Sequence, residues 1–278
     1  MEEYREKVRR LRAVIKSYAG EDIAVAFSGG ADSGLLLKLA NEAARETGRK
    51  VYGICLDTAL HPAGEAEGAE KAAKEMGAAF IRLKIDEFEN AGIEHNPEDR
   101  CYRCKKYMFQ CIMDEARRLN AAVVMEGTNG DDLFAYRPGI RAVKELGAVS
   151  PLAEAGLSKE EVRKLAGEYG ISVSDKPASP CLATRFPYGT RLDRAELLKV
   201  ARAESVLREM GFYNVRVRVH GNLARIETDA ENIPLLMERR ESIVGAVKRL
   251  GYDYVAADLE GFRSGSMDIH LKAHEAER

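Results

Sequence analysis

The chain has no basic excess. Over 278 residues, 43 lysines and arginines stand against 45 aspartates and glutamates, a formal net charge of -2. A protein that wraps long nucleic acid carries a basic footprint, so nucleic acid is not expected as a partner. No apolar run approaches the roughly 20 residues of a membrane-spanning helix, and the opening Met1-Glu2-Glu3-Tyr4-Arg5 is charged and helical in pattern rather than a signal peptide. A cytoplasmic protein with no membrane partner is expected. Internal repeats and low-complexity tracts are also missing. Five cysteines, an odd number, argue against a disulfide framework. What remains is a folded chain, 45% hydrophobic and 32% charged, long enough for two domains.

The first part alternates strand and helix patterns. Strands are expected at 23–27, 51–56, 79–83 and 121–125. Helices are expected at 34–47, 65–76, 105–119 and 158–169, the last opened by a capping box of Ser158 and Glu161. This alternation predicts an α/β fold, a parallel sheet covered on both faces. Near residue 190 the pattern changes. A helix over 194–210 precedes a hairpin, 214–220 and 223–228 around Gly221-Asn222, then a helix over 233–250 and a strand over 253–258. The expected domains are 1–178, a Rossmann-like nucleotide domain, and 190–278, a smaller α+β domain. Lys176-Pro177-Ala178-Ser179-Pro180 reads as the linker, and the polar tail from His270 as frayed.

The most specific string is Ser28-Gly29-Gly30-Ala31-Asp32-Ser33, between a strand and a helix. Gly29 and Gly30 let the backbone turn sharply and bring its N–H groups to an anion. The helix N-terminus adds partial positive charge, and Ser28 and Ser33 add hydroxyls. The Gly-Lys-Ser/Thr ending of a Walker A loop is lacking, so a simple ATPase is not the reading. A second string, Glu126-Gly127-Thr128-Asn129-Gly130-Asp131-Asp132, also follows a strand. Strand carboxyl ends line the ligand crevice of an open α/β sheet, so Gly127, Thr128, Asp131 and Asp132 are expected to face the same cleft. The two aspartates suit Mg²⁺ on phosphates; a turn with capping aspartates is the plainer alternative. Asp57 ends the second strand in the same way and is expected near the nucleotide.

Cys101 and Cys104 have chelating spacing, and Cys181 lies far downstream. Three thiolates suit three irons of a four-iron cluster, a zinc site with another ligand is an alternative, and a redox or chance pair a third. Cys111, two helical turns past Cys104, is about 10 Å away along a regular helix. It reads as buried and inert, and Cys55 as core.

Ser28 to Ser33 resembles the signature of the PP-loop, or N-type ATP pyrophosphatase, superfamily. The chain as a whole resembles the LarE family of ATP-dependent sulfur transferases. Besides the two strings above, the resemblance is carried by Tyr136-Arg137-Pro138-Gly139, Ser150-Pro151-Leu152, Asp175-Lys176-Pro177-Ala178-Ser179-Pro180-Cys181-Leu182-Ala183-Thr184-Arg185, Val215-Arg216-Val217-Arg218-Val219-His220-Gly221 and Leu259-Glu260-Gly261-Phe262-Arg263-Ser264-Gly265-Ser266-Met267. It implies ATP with Mg²⁺ as cofactors, splitting to AMP and pyrophosphate, and catalytic roles for Asp32 and Cys181. The implied substrate is a pyridinium dicarboxylate mononucleotide converted to a thioacid for the nickel-pincer cofactor. Cys181 matches the sulfur-bearing position. Some members give up that cysteine's own sulfur. Members with an additional Cys-x-x-Cys, like Cys101 and Cys104, are associated with a 4Fe-4S cluster, here on Cys101, Cys104 and Cys181, and imply a separate sulfide donor. Gly130 stands where alanine is expected in many members.

In the hairpin strand Val215, Val217 and Val219 face one way and Arg216, Arg218 and His220 the other. Arginine forks suit phosphate, and the resemblance makes Arg216 and Arg218, with Arg185, the expected grip on the substrate phosphate. A solvated face paired to Glu227 and Glu231 is the plainer reading, as it is for Glu227, Asp258 and Glu260 as a second metal site. The smaller domain is expected to bind substrate or to join copies into a homo-oligomer. Competing enzyme readings are an amide synthetase, disfavoured because no glutaminase domain is attached, and a tRNA-thiolation enzyme, disfavoured by charge. A nucleotide sensor without chemistry has no use for three converging thiols.

Overall fold

The structure is a computed structural model that describes residues 2–61, 64–134, 138–171, 181–263 and 266–268. The expected linker at Lys176 to Pro180, the pair Tyr136-Arg137 and the tail from His270 lie outside these residues. The chain separates into two compact units, Met1–Ile93 with Asp99–Ser179, and Glu94–Glu98 with Pro180–Arg278.

The first unit is built on β1 (Ile23–Ala26), β2 (Val51–Asp57), β3 (Ala79–Lys84) and β4 (Val123–Met125). They form a four-stranded parallel sheet in the order β3-β2-β1-β4, with Ile23 opposite both Val51 and Val123. Alternation along β1 sends Ile23, Val25 and Phe27 into one core and Ala24 into the other. The first core is covered by α1 (Glu2–Tyr18), α2 (Ala31–Thr47), α3 (Glu65–Glu75), α7 (Pro151–Glu154) and α8 (Lys159–Glu168); the second by α5 (Arg100–Arg118) and α6 (Pro138–Glu145). A one-turn helix α4 (Glu87–Asn90) completes the unit. This is the expected α/β architecture with a parallel sheet buried on both faces. The capping box opening α8 is present, Ser158 and Glu161 each satisfying the other's backbone N–H.

Two boundaries that bear on the site differ from the sequence reading. Helix α2 starts at Ala31, because Gly30 in an extended conformation serves as its N-cap, so Asp32 and Ser33 sit in its first turn. Helix α5 starts at Arg100 rather than 105, so it carries Cys101 and Cys104. No helix of the described residues is long and apolar enough to cross a membrane.

The second unit holds α9 (Arg194–Glu209), β5 (Val215–His220), β6 (Leu223–Thr228), α10 (Ile233–Glu238), α11 (Arg240–Lys248) and β7 (Tyr254–Ala257). The hairpin is antiparallel about Gly221, whose φ of 61° is the left-handed turn that glycine supplies. Strand β7 pairs parallel to β6. The helix expected over 233–250 is two, interrupted at Arg239, whose ψ of 12° opens the ladder while its side chain donates to the carbonyl of Met210. Residues 94–98 belong here because buried Asn96 donates to the carbonyls of Phe186 and Pro187 at 2.9 and 2.8 Å.

Strand β5 is covered on both faces: Arg216 is 8% and Arg218 9% exposed. The solvated reading of that face is therefore wrong. Its cover comes from the turn Leu182–Arg185 and from Phe262 and Ser266, remote in sequence. Glu204 on α9 ties this layer together. It accepts from Arg185 at 2.7 and 3.0 Å, from Arg208 at 2.9 Å and from the Val217 amide at 3.1 Å. Burial alone would raise the Glu204 carboxyl, but the hydrogen bonds and charge of Arg185 outweigh it and hold it below the usual range. A lowered folded-state value gives stability that is present above the unfolded value and is lost as pH falls through the folded one. Glu204→Ala strands a buried guanidinium and is expected to cost about 3–5 kcal/mol. Urea unfolding of wild type and variant measures it; an unchanged midpoint would contradict the arrangement.

Candidate active site

Ser28, Gly30, Asp32 and Ser33 line one wall of a cavity of about 560 Å³ in the first unit. The loop needs its glycine: Gly29 has φ 70°, and a Cβ there would lie 3.0 Å from the Ala69 Cβ and 3.1 Å from its Cα on α3. Helix α2 has no side-chain cap, so its first amides are left for an anion. The Ser33 hydroxyl accepts from the Ser28 amide at 3.2 Å, lies 3.2 Å from the Ser28 hydroxyl and donates to the Gly30 carbonyl at 3.3 Å, which holds the loop closed on itself.

Asp32 is buried against the loop with one oxygen unsatisfied. One carboxylate oxygen is bound by the Lys159 ammonium, and Oδ1 is buried without a hydrogen-bond partner. Burial is the main reason its carboxyl is raised above the usual range; Asp132 adds to this, while Lys159 and Arg163 oppose it. A buried, orphaned carboxylate oxygen facing a phosphate loop fits a divalent cation, and so does the second wall. Asn129 Oδ1 accepts from the amides of Asp131 and Asp132 at 3.1 and 3.2 Å, an Asx turn that presents both aspartates to the cavity. Asp131 also accepts from the Lys159 amide at 2.8 Å, so this loop and the start of α8 are one framework.

Other expected residues do different work. Gly127 lets the second loop abut the first, since a Cβ would sit 3.1 Å from the Asp32 Cβ and 3.2 Å from the Ser33 amide. Thr128 gives its amide and hydroxyl to buried Glu126, at 3.0 and 2.9 Å. Gly130 suits its place, because a Cβ would meet the Leu157 carbonyl at 3.0 Å. Asp57 is not among the cavity-lining residues; it pairs with Arg82 on β3 at 2.8 Å. Sequence reasoning missed Lys105, His61, Lys159 and Arg163, all of which line the cavity.

All five cysteines are outside disulfides. Cys101 is exposed, with Arg100 donating to its sulfur at 3.6 Å, and Cys104 lies one turn on, its thiol 3.5 Å from the Met108 sulfur. Helix α5 continues into the cavity wall through Lys105, Met108, Phe109 and Ile112. Cys55 is buried in the core, as expected, and touches the cavity. Cys111 is half-buried rather than buried; burial pushes its thiol up, and Tyr107 hydrogen-bonds it.

In the second unit Cys181 heads a pinned turn. Its carbonyl accepts from Thr184 Oγ1 at 2.7 Å and Arg185 at 3.2 Å, and the Thr184 carbonyl accepts from Arg218. The cysteine's turn thus lies on the arginine face of β5. Arg185 and Arg218 are already held by Glu204 and Glu227. Arg216 lies 5.2 Å over the Phe262 ring and donates to the Val215 carbonyl at 2.7 Å. Burial, then the charges of Arg185, Arg208 and Arg218 against that of Glu204, push its guanidinium down to about 10. Glu227, Asp258 and Glu260 each face an arginine, and among the described residues of the chain no three His, Cys, Asp or Glu converge as a metal site.

The PP-loop domain family matches residues 3–135. A pyridinium-3,5-bisthiocarboxylic acid mononucleotide synthase of Lactiplantibacillus plantarum is 38% identical over 250 residues, 90% of each chain. The chain belongs to the LarE family. A protein of Synechocystis is 41% identical over 88% of this chain and 91% of its own. More distantly, a tRNA-specific 2-thiouridylase of Rickettsia felis is 29% identical over 56% of this chain and 52% of its own. This LarE-family chain is an ATP-dependent, sulfur-transferring enzyme with a PP-loop ATP site.

Proposed function

We propose that this enzyme uses ATP to adenylate a carboxylate of a pyridinium dicarboxylate mononucleotide, releases pyrophosphate, and replaces the activated oxygen with sulfur in nickel-pincer cofactor synthesis. A carboxylate is a poor electrophile, and joining it to AMP gives it a good leaving group. The observation that carries the reading is the pairing, in the second unit, of the Cys181 turn with the arginine face of β5. This supports reading Cys181 as the sulfur-bearing residue and the adjacent arginines as the phosphate ligands. Ser28, Gly30 and Ser33 cradle the ATP phosphates, while Asp32, Asp131 and Asp132 hold magnesium on them. Gly29, Gly127 and Thr128 shape the loops. Of the three arginines, Arg216 is the principal phosphate ligand, since buried carboxylates hold the other two.

The sulfur source in this proposal is a 4Fe-4S cluster on Cys101, Cys104 and Cys181. Cys101 and Cys104 fit it, as thiols one helical turn apart on α5. A cluster on these three thiolates would leave one iron without a protein ligand, and an additional sulfide from an external donor would be held there and used in place of the cysteine's own sulfur.

The test is to incubate the anaerobically prepared enzyme with ATP, magnesium, sulfide and the mononucleotide, reading pyrophosphate and thiocarboxylate together. Both are expected. Thiolation of tRNA with no reaction of the mononucleotide would overturn the substrate assignment. Arg216→Ala is expected to weaken mononucleotide binding by about 10- to 150-fold, the loss of one charge-assisted hydrogen bond, and ATP binding little. Equal weakening of both would count against separate sites.

A further inference from the structure

We propose that Lys159 and Arg163, on the first turns of α8, bind the β- and γ-phosphates of ATP and hold the pyrophosphate as it leaves. The inference rests on the adenylation reading and adds ligands that the PP-loop lacks. Asp32, Glu65, Asp131 and Asp132 all line the cavity. A triphosphate entering there meets four carboxylates, and the loop itself answers only with amides and hydroxyls. Magnesium on the aspartates offsets part of this charge, and side-chain cations must come from elsewhere. Of the lysines and arginines lining the cavity, Lys105 stands on α5 beside Met108, Phe109 and Ile112, an apolar wall suited to the nucleoside end. Lys159 and Arg163 stand on α8, within reach of Asp32 in the first turn of α2. The Lys159 ammonium already binds Asp32, in the first turn behind the loop, and the charge of Arg163 also reaches Asp32.

Their position is fixed by the backbone. The Lys159 amide is bound by Asp131, the Ser158–Glu161 box caps the helix one residue earlier, and the Gly130 amide donates to the Leu157 carbonyl at 2.7 Å. Arg163 is four residues on, on the same helix face. The two cations therefore line one side of the cavity from a helix whose start is tied to the aspartate loop. Lys159 is partnered by Asp32. Phosphate oxygens carry more charge than one carboxylate, so a bound triphosphate draws the ammonium across.

In the reaction a substrate carboxylate oxygen forms a bond to the α-phosphorus, and the bond from that phosphorus to the bridging oxygen breaks. The bridging oxygen leaves with the electron pair as pyrophosphate, and no proton is exchanged. Negative charge grows on the leaving group, where positioned cations lower the barrier.

The experiment titrates ATP, inorganic pyrophosphate and AMP, with magnesium, into the full chain and into Lys159→Gln, Arg163→Gln and Lys159→Arg. Lys159→Gln is expected to weaken ATP and pyrophosphate by about 10- to 100-fold, the range for a charged hydrogen bond, and AMP by less than about threefold. Arg163→Gln follows the same pattern, and Lys159→Arg restores most of the affinity. Unchanged pyrophosphate binding in both Gln variants overturns the proposal, and so does equal weakening of AMP and pyrophosphate. These affinities decide the proposal even if the wild-type protein releases no pyrophosphate with a carboxylate substrate, a result that would count against the adenylation reading instead.

Discussion

Asp32→Ala and Ser33→Ala are each expected to lower pyrophosphate release by at least about 10²–10³-fold, the loss typical of removing one positioned electrostatic group, without lowering the melting temperature for Asp32→Ala. The two expectations come from one observation. Asp32 is placed against its own interest: burial raises its carboxyl more than Lys159 and Arg163 lower it, Asp132 adds repulsion, and one oxygen has no partner. A carboxyl raised by folding contributes stability that is fully present below its unfolded value and is lost as pH rises through its folded value. The ionised form of Asp32 therefore strains the folded state, and removing the side chain relieves that strain. Such a group is kept for what it binds. Ser33 differs in degree, since its hydroxyl closes the loop on the Ser28 amide and the Gly30 carbonyl. Ser33→Ala is expected to cost about 0.5–1.5 kcal/mol while losing the cradle's shape. Thermal melting and a pyrophosphate-release assay read both variants; normal adenylation by both would sink the phosphate assignment of the loop.

The nucleotide fold was legible because its signals are local. The strand before Ser28, the paired glycines and the Asn-Gly-Asp-Asp run each announce their own backbone, and the capping box at Ser158 and Glu161 appears as written. Local reading failed where a partner arrives from elsewhere. Asp57 ends its strand as expected, but Arg82 on the neighbouring strand takes its carboxylate. Lys159 and Arg163 look like a solvated helix face until α8 packs beside α2 and turns that face to the loop. Period-two alternation correctly put Arg216 and Arg218 on one side of β5. It could not show that residues 182–185 and Phe262 cover that side, nor that Glu204 would hold Arg185 across 19 positions. Helix α5 starts earlier than its apolar periodicity indicates, because that periodicity begins only after the cysteines.

That early start of α5 sharpens what substitution of the cysteines should do. Cys101→Ala, Cys104→Ala and Cys181→Ala are each expected to abolish or severely impair cluster assembly and multiple turnover, whereas Cys55→Ala and Cys111→Ala leave both largely intact. Cys101 and Cys104 stand one turn apart at the exposed start of α5, where both sulfurs can face one ligand. Cys181 heads a turn fixed by Thr184 and Arg185, so its position does not depend on a bound group. The other two thiols are used differently. Cys55 is 4% exposed within the core. Cys111 lies two turns beyond Cys104, and burial raises its thiol, disfavouring the thiolate that iron requires. Three protein thiolates also account for the sulfur chemistry better than four, because a fully ligated cluster has no open iron. Anaerobic reconstitution of the five variants, followed by iron, sulfide and zinc analysis and the thiocarboxylate assay, separates the outcomes. Stoichiometric zinc in place of iron would overturn the cluster. Loss of one sulfur from Cys181 per turnover of the wild-type protein would overturn the sulfide source, and would place this chain with the members of its family that consume their own cysteine.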